Sequence, residues 1–325
     1  MDETDQLVVS ALLANGRASW TTIAEALDLS EGTVRRRGSR LLDSGLLAVT
    51  ALENPYRAWG GWPLVLILRT RPDRTLRLAH HLARMYAVKT VWVLDTNEIF
   101  ALVHPRNRDE RNELMLSHLP LAGDLLDLRA LPVLRAYTLA GPPQPPLLTA
   151  AQTRAVRHPY DDPGLEPGPR LDMDEHHLVE ALAVDGRMSF ARLAATTHTS
   201  AATAQRRLHR LRLTGGAEIA TVVDRCQVGL DVQAVFFLQT DPAALPDTVK
   251  QLTARTPVHL AVAVTGPDSL IAAVAVSHTD DVYRLLAEEF PYLPGYRHAR
   301  VHLVTAFVKE SGMSFHDGRW QPVEP

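Results

Sequence analysis

The chain carries one message twice, and that duplication limits what it can fold into. Asn15-Gly16-Arg17-Ala18-Ser19-Trp20 recurs as Asp185-Gly186-Arg187-Met188-Ser189-Phe190, an offset of 170 residues from Gly16 to Gly186. The same register aligns Ile23-Ala24 with Leu193-Ala194, Ser30 with Ser200, Thr33 with Thr203, Arg36-Arg37 with Arg206-Arg207, Arg40-Leu41 with Arg210-Leu211, and Gly45 with Gly215. Without a gap it extends to Thr70 and Pro72, which fall on Thr240 and Pro242. The fold must therefore contain two copies of one module of about 140 residues. Between them, residues 141–170 hold eight of the 22 prolines, including Pro142-Pro143 and Pro145-Pro146, beside Asp161-Asp162. Fixed φ angles and missing backbone donors make this stretch an extended, partly polyproline-like linker.

With 46% hydrophobic residues in 325, the chain can bury two or more cores. Cys226 is the sole cysteine, so no intrachain disulfide forms; together with the lack of an apolar leader this points to a cytoplasmic protein, with Cys226 a small buried filler. No run approaches the ~18 apolar residues of a membrane span. A net charge of −3 argues against one broad basic surface, so any nucleic-acid contact is expected to be local.

Each copy opens with three short helical patterns. Leu7, Val8, Ala11 and Leu12 form the first stripe; Ser19 caps a second helix over Ile23, Ala24 and Leu27; Ser30 caps a third that ends at Gly45. In the second copy Leu178, Ala181 and Leu182, then Ser189, then Ser200 and Gly215-Gly216 repeat this. The short link between the second and third helices is that of a helix-turn-helix. Both copies then switch to strand patterns at 63–70, 88–94, 99–103 and 125–137, with helices at 73–85 and 108–118. The second copy gives strands at 232–240, 258–264, 270–277 and 297–308, with helices at 243–253 and 280–289. The order βαββαβ is a ferredoxin-like arrangement, so the fold class is α+β: two copies of a winged or helix-turn-helix three-helix domain, each followed by a ferredoxin-like domain. Helices cover one sheet face, and a second sheet is expected to cover the other. The expected domains are 1–50, 51–140, the linker 141–170, 171–220, 221–315 and a tail at 316–325.

On the third helix, steps of about 100° place Val34, Gly38 and Leu41 together as a packing stripe and turn Thr33, Arg36 and Arg40 outward. The second copy packs Ala204, Leu208 and Leu211 and exposes Thr203, Arg206 and Arg210. Hydroxyls at a helix start and forked guanidinium groups suit phosphates and guanine edges, so both stripes fit the DNA major groove. A solvated arginine face is the plainer reading, and the recurrence in register argues against it. Gly38 stands where Leu208 packs, at an expected cost in helix propensity of about 1 kcal/mol and in lost burial. Glu31 in the first copy has no acidic counterpart, so the second helix presents the stronger positive field.

Asp2 and Asp5, Gly16-Arg17-Ala18-Ser19, Ile23-Ala24, Leu29-Ser30, Arg37, Arg40-Leu41 and Gly45, followed by βαββαβ, resemble the Lrp/AsnC family of transcription regulators. Asp172, Gly186-Arg187-Met188-Ser189, Leu193-Ala194, Ser200, Arg207, Arg210-Leu211 and Gly215 repeat the pattern. The resemblance implies a regulator that binds double-stranded DNA, adds Arg37 and Arg207 to the DNA-binding set, and makes the chain a covalent pseudo-dimer of units that pair through their sensor sheets. Such pseudo-dimeric chains could associate further. It also implies an amino acid or similar small-molecule effector between sensor domains, near a Gly-Asp turn joining the second and third sensor strands. Thr265-Gly266-Pro267-Asp268 keeps that turn, with Thr265, Gly266 and Asp268 as effector contacts, whereas Asp95-Thr96-Asn97-Glu98 lacks the glycine. A plain hairpin turn is the alternative at both places.

Fourteen histidines include His80-His81, His176-His177 and the pair His298 and His302. Adjacent helical histidines point about 100° apart and rarely share a ligand, so no metal site is assigned, and no catalytic residue or cofactor either. No Walker loop, zinc spacing, nucleophile elbow or dinucleotide fingerprint is present. Siroheme decarboxylases resemble the same architecture and provide an enzymatic alternative, but 54–62 and 226–231 lack the His- and Asn-rich pattern expected there. A partner-binding paralogue without DNA binding is the third reading.

Overall fold

The computed structural model describes residues 1–58, 62–119, 123–138, 147–157, 168–254 and 257–323. The first copy runs α1 (Glu3–Ala14), α2 (Trp20–Leu27), α3 (Glu31–Asp43), β1 (Leu47–Glu53), β2 (Leu64–Thr70), α4 (Thr75–Ala83), β3 (Val88–Leu94), β4 (Glu98–Val103), α5 (Arg108–Glu113) and β5 (Leu125–Thr138). A short helix α6 (Ala150–Val156) precedes the second copy: α7 (Met173–Val184), α8 (Phe190–Thr196), α9 (Ala201–Leu213), β6 (Ala217–Val223), β7 (Val232–Thr240), α10 (Leu245–Thr253), β8 (Val258–Val264), β9 (Leu270–Val276), α11 (Thr279–Arg284) and β10 (Tyr296–Glu310). A hairpin of β11 (Met313–His316) and β12 (Arg319–Pro322) follows.

The chain does not divide at the linker. One compact unit gathers residues 1–60, 144–228 and 310–325, and the other gathers 61–143 and 229–309. Like is therefore grouped with like, helical domain with helical domain and sheet with sheet.

In the helical unit every expected serine cap forms: Ser19, Ser30, Ser189 and Ser200 accept from the backbone N–H of Thr22, Thr33, Arg192 and Thr203. Asp2 and Asp172 close capping boxes with Asp5 and Glu175. Strands β1 and β6, which the apolar patterns do not single out, pair antiparallel from Leu47↔Val223 to Glu53↔Ala217. Each copy thereby lends a strand to a shared ribbon. Ala51 of β1 packs in the core of the second helical domain with Leu178, Leu182, Leu193, Ala204, Leu208 and Leu211. Thr50 donates to the carbonyl of Ala183 at 2.9 Å, and Thr221 to that of Leu12 at 2.6 Å.

Three expectations fail here. Residues 150–156, inside the span read as an extended linker, form α6: Thr149 and Gln152 make a capping box, Val156 is buried, and its carbonyl accepts from Asn15 Nδ2 at 3.0 Å. Residues 141–146 and 158–167 of that span lie outside the described residues. The expected tail from 316 is instead half of a hairpin, because Asp317 and Gly318 both take positive φ and close a tight turn that brings Phe315 and Trp320 rings to 4.7 Å. Trp320 N–H donates to the Gly45 carbonyl at 2.8 Å. Cys226 is exposed rather than a buried filler.

In the second unit each half forms four antiparallel strands in the order β5-β2-β4-β3 or β10-β7-β9-β8. Long β5 also pairs with β8, from Val133↔Val264, and long β10 with β3, from Val304↔Leu94, so the eight strands return on themselves. Leu64, Leu66 and Leu68 of β2 pack under α4 with Leu78 and Leu82; Ala234, Phe236 and Leu238 of β7 pack with Val249, Leu252 and Phe290. This is the period-two reading of both strands. On the opposite face, Trp92 stacks on Phe100 at 4.9 Å and meets His259 and Phe307 of the second half at 6.0 and 6.5 Å. The second sheet face of each half is thus covered by the other half.

Candidate nucleic-acid interface

The two helical domains are held together by the doubled signature itself. Arg17 donates to the carbonyls of Gly186 and Met188, and Arg187 donates to those of Gly16 and Ala18, at 2.5–3.1 Å. The Arg17 guanidinium lies 5.0 Å from the Phe190 ring centre and that of Arg187 lies 4.1 Å from Trp20, so each fork is sandwiched by the other copy's second helix. The glycine before each arginine is forced by proximity: a Cβ on Gly16 would sit 2.7 Å from Thr221 Oγ1, and one on Gly186 would sit 2.7 Å from Val49 Cγ1. Burial, then the facing like charge of Arg17, pushes the Arg187 guanidinium down to about 10. Both guanidinium groups stay charged at neutral pH, and among the described residues their hydrogen bonds go to carbonyls of the other copy, which makes the clasp structural rather than ligand-facing.

On α3 and α9 the buried stripes are those expected: Val34, Gly38 and Leu41, and Ala204, Leu208 and Leu211. No burial is lost at Gly38, however. A Cβ there would lie 2.5 Å from the Trp20 ring, so the larger Trp20 fills the space that Leu208 takes beside Phe190.

The eight residues expected to face DNA separate into three groups. Thr33 and Thr203 are half-buried and engaged with their capping serines, each accepting from the serine hydroxyl at 2.9 Å. Arg37 binds Asp2 and Asp5, and Arg40 binds Asp5 at 2.5 Å; in the second copy Arg207 binds Asp174 at 2.6 Å and Arg210 binds Glu175 at 2.7 Å. Four arginines thus tie the third helix to the start of the first. Burial opposes ionisation of Asp5, but hydrogen bonds from Arg37 and Arg40 outweigh it and hold the carboxyl below its usual range. Arg36 and Arg206 form the third group: both are exposed, with no ion-pair partner among the described residues. They are forked cations on outward faces, free to meet phosphate or a base edge.

Sequence reasoning did not single out Arg35 and Gln205, which occupy the same exposed position on α3 and α9. The 170-residue register marks them, because Arg faces Gln there while Arg36 and Arg206 agree.

The expected effector turn lies between β8 and β9. Gly266 has φ of 108°, and Thr265 N–H donates to the Pro132 carbonyl at 3.0 Å. Asp268 is buried and accepts from Arg300 at 2.5 Å, with the Arg300 guanidinium 5.1 Å from the Phe237 ring. In the first copy Asn97 supplies the left-handed residue, with φ of 59°, and Asp95 lies 3.1 Å from His302 Nδ1. Among the described residues no cluster of three His, Cys, Asp or Glu is placed to hold a metal, and no helix is long and apolar enough to cross a membrane. The siroheme-related segment 54–62 is described except for 59–61. Asn54 and Arg57 there donate to the carbonyls of Gly215, Thr214 and Pro169, bracing the end of α9.

An AsnC-type helix-turn-helix domain matches residues 1–42 and again 171–212. The HTH-type transcriptional regulator LrpA of Pyrococcus abyssi is 30% identical over 96 residues, covering 29% of this chain and 67% of that protein. An uncharacterized HTH-type transcriptional regulator of Pyrococcus furiosus is 29% identical over 121 residues, 37% of this chain and 82% of its own length. Among solved structures, the siroheme decarboxylase NirDL matches with a TM-score of 0.56 at 12% identity, over 98% of this chain and 96% of that one. At that identity the likeness is one of fold, and one fold hosts unrelated functions.

Proposed function

We propose, from the premise that this chain belongs to the Lrp/AsnC family of helix-turn-helix transcriptional regulators, that it is a sequence-specific DNA-binding regulator acting in the cytoplasm as an intrachain pseudo-dimer. The single observation that carries this reading is the pair of free arginines, Arg36 and Arg206, at equivalent outward positions of two third helices that the Arg17 and Arg187 clasp holds in one compact unit. In a homodimer such pairing depends on concentration; covalent linkage replaces it with an intramolecular event at effective concentrations of about millimolar. The eight-stranded unit is read as two ferredoxin-like sensor domains whose mutual cover substitutes for a dimer interface. The turn of Thr265, Gly266 and Asp268 is the candidate for an amino acid or related effector, with Arg300 positioned to choose between Asp268 and a ligand carboxylate. A regulator is favoured over an enzyme because the relatives matched by sequence are regulators.

Duplex binding across a salt series tests the reading. Binding should weaken linearly with the logarithm of salt, and Arg36→Ala with Arg206→Ala should lower the slope by roughly 2 in magnitude, as expected for two lost phosphate contacts. A slope and affinity unchanged by the double substitution would sink the assignment.

A further inference from the structure

We infer that the chain binds an asymmetric duplex site in one orientation, α9 reading bases while α3, screened by its own acid, supplies mainly backbone affinity; this rests on the DNA-binding reading above. The two helices share a scaffold. Each is 13 residues long, starts at a serine cap, buries its fourth, eighth and eleventh residues, and carries one exposed matched arginine, Arg36 or Arg206, that has no ion-pair partner among the described residues. What differs is the chemistry around that arginine.

Glu31 is the first residue of α3, and its carboxylate is held between Arg35 and the Thr21 hydroxyl, the latter at 2.9 Å. A fixed carboxylate at a helix start occupies the place a phosphate would take and repels the next one. It also engages the Arg35 fork. In α9 the corresponding residues are Ala201 and Gln205. Ala201 and Ala202 are exposed and carry no acid, and with Thr203 N–H held by the Ser200 cap it is their two N–H groups that no carboxylate screens from a phosphate. Gln205 is exposed and has no hydrogen-bond partner among the described residues, and a free glutamine amide pairs with both N6 and N7 of adenine. At the far ends Asp43 stands against Leu213, so α3 sets two acids against its four arginines while α9 sets none against its own four.

Because both helices belong to one chain, every molecule carries one of each. Turning the protein round on its site exchanges an acid-screened reader for an open one, so the two orientations are unequal on any asymmetric sequence and the protein selects such sequences over palindromes.

The test is selection of duplexes from a random-sequence pool by the full chain, followed by affinity measurements on the selected duplex. The expected consensus has one well-defined half containing an adenine and one degenerate half. Arg206→Ala should weaken binding by about tenfold or more and Arg36→Ala by about threefold, and Gln205→Ala should relax the adenine preference by about tenfold while leaving the other half unchanged. Glu31→Ala should strengthen binding by about threefold, a gain that loss of folding cannot imitate. A palindromic consensus, equal losses for the two arginines, or no gain from Glu31→Ala would overturn the orientation proposal and leave DNA binding standing. Failure to enrich any duplex would overturn both.

Discussion

The turns that carry Arg17 and Arg187 perform the same task in both halves, whereas the helices that follow them, α3 and α9, do not. Each arginine spans to two carbonyls and one ring of the other copy, and a change on one side would leave buried acceptors unpaired on the other. Among the described residues no hydrogen bond or ion pair joins Glu31, Arg35, Arg36, Gln205 or Arg206 to the other copy to enforce a match, and there Glu31, Arg35 and Asp43 stand opposite Ala201, Gln205 and Leu213. Fusion of two copies thus keeps the joint symmetric and frees the reading surfaces to diverge.

The largest expected departure from symmetry is in the sheets, at the ends of β5 and β10. Thr138 and Lys309 donate to the carbonyls of His259 and Met85, but the Lys309 ammonium is fully buried, and burial followed by the charge of Lys89 pushes it down to about 7. Between that value and its ordinary 10.5 the unfolded chain holds the proton and the folded chain does not, so this group's contribution to stability rises with pH. The contribution is complete above about 10.5 and is lost as pH falls through about 7, with a slope near 1.4 kcal/mol per pH unit inside the window. Urea unfolding at pH 7, 8 and 9 should show this slope, Lys309→Met should flatten it, and Thr138→Val should leave it intact. Equal slopes in native protein and Lys309→Met would remove Lys309 from the difference.

Next in size is the clasp. Arg17→Ala and Arg187→Ala should each cost about 3 kcal/mol, from two hydrogen bonds made by a charged donor, and lysine should not restore either because it lacks the fork. Similar losses in urea midpoint are required; a large loss on one side with none on the other would break the reciprocity.

A smaller test addresses how the two helical cores reach the same density by different routes. Gly38→Leu should cost about 2 kcal/mol by overpacking against Trp20, and Trp20→Phe in that background should recover most of it by recreating the Phe190 and Leu208 pairing. Thermal unfolding of the two singles and the double gives the coupling, and additive effects would show that Trp20 does not fill the gap. The smallest effect on DNA binding is expected for Arg37→Ala and Arg207→Ala, whose side chains serve Asp2, Asp5 and Asp174: the unfolding midpoint should fall while the salt slope of duplex binding stays unchanged.

Much of this was legible from residue order. Serine caps announce the helices because a side-chain acceptor satisfies local N–H groups, and the alternation in 232–240 reports a sheet with one helix-covered face. Long-range partnerships were not legible. Nothing local in 47–53 says that it will pair with 217–223, since the apolar run fits several elements until the partner strand is found. Pro-rich composition hid α6, where Thr149 and Gln152 form a cap between prolines. The helical wheel turned Arg40 outward, and the family resemblance added Arg37, without revealing that Asp2 and Asp5, more than 30 residues earlier, would engage them; of the eight residues expected to face DNA, Arg36 and Arg206 are the exposed arginines with no ion-pair partner among the described residues.

Cleavage by a DNA-cutting reagent tethered to one helix at a time tests the unequal pair most directly. With the exposed Cys226 first replaced by serine, a single cysteine is placed at Ser39 on α3 or at His209 on α9, carries an iron chelate, and is bound to the selected duplex. Cuts from position 209 should fall only in the well-defined half and cuts from position 39 only in the degenerate half. Cuts from both positions distributed equally over both halves would contradict an oriented, two-reader chain.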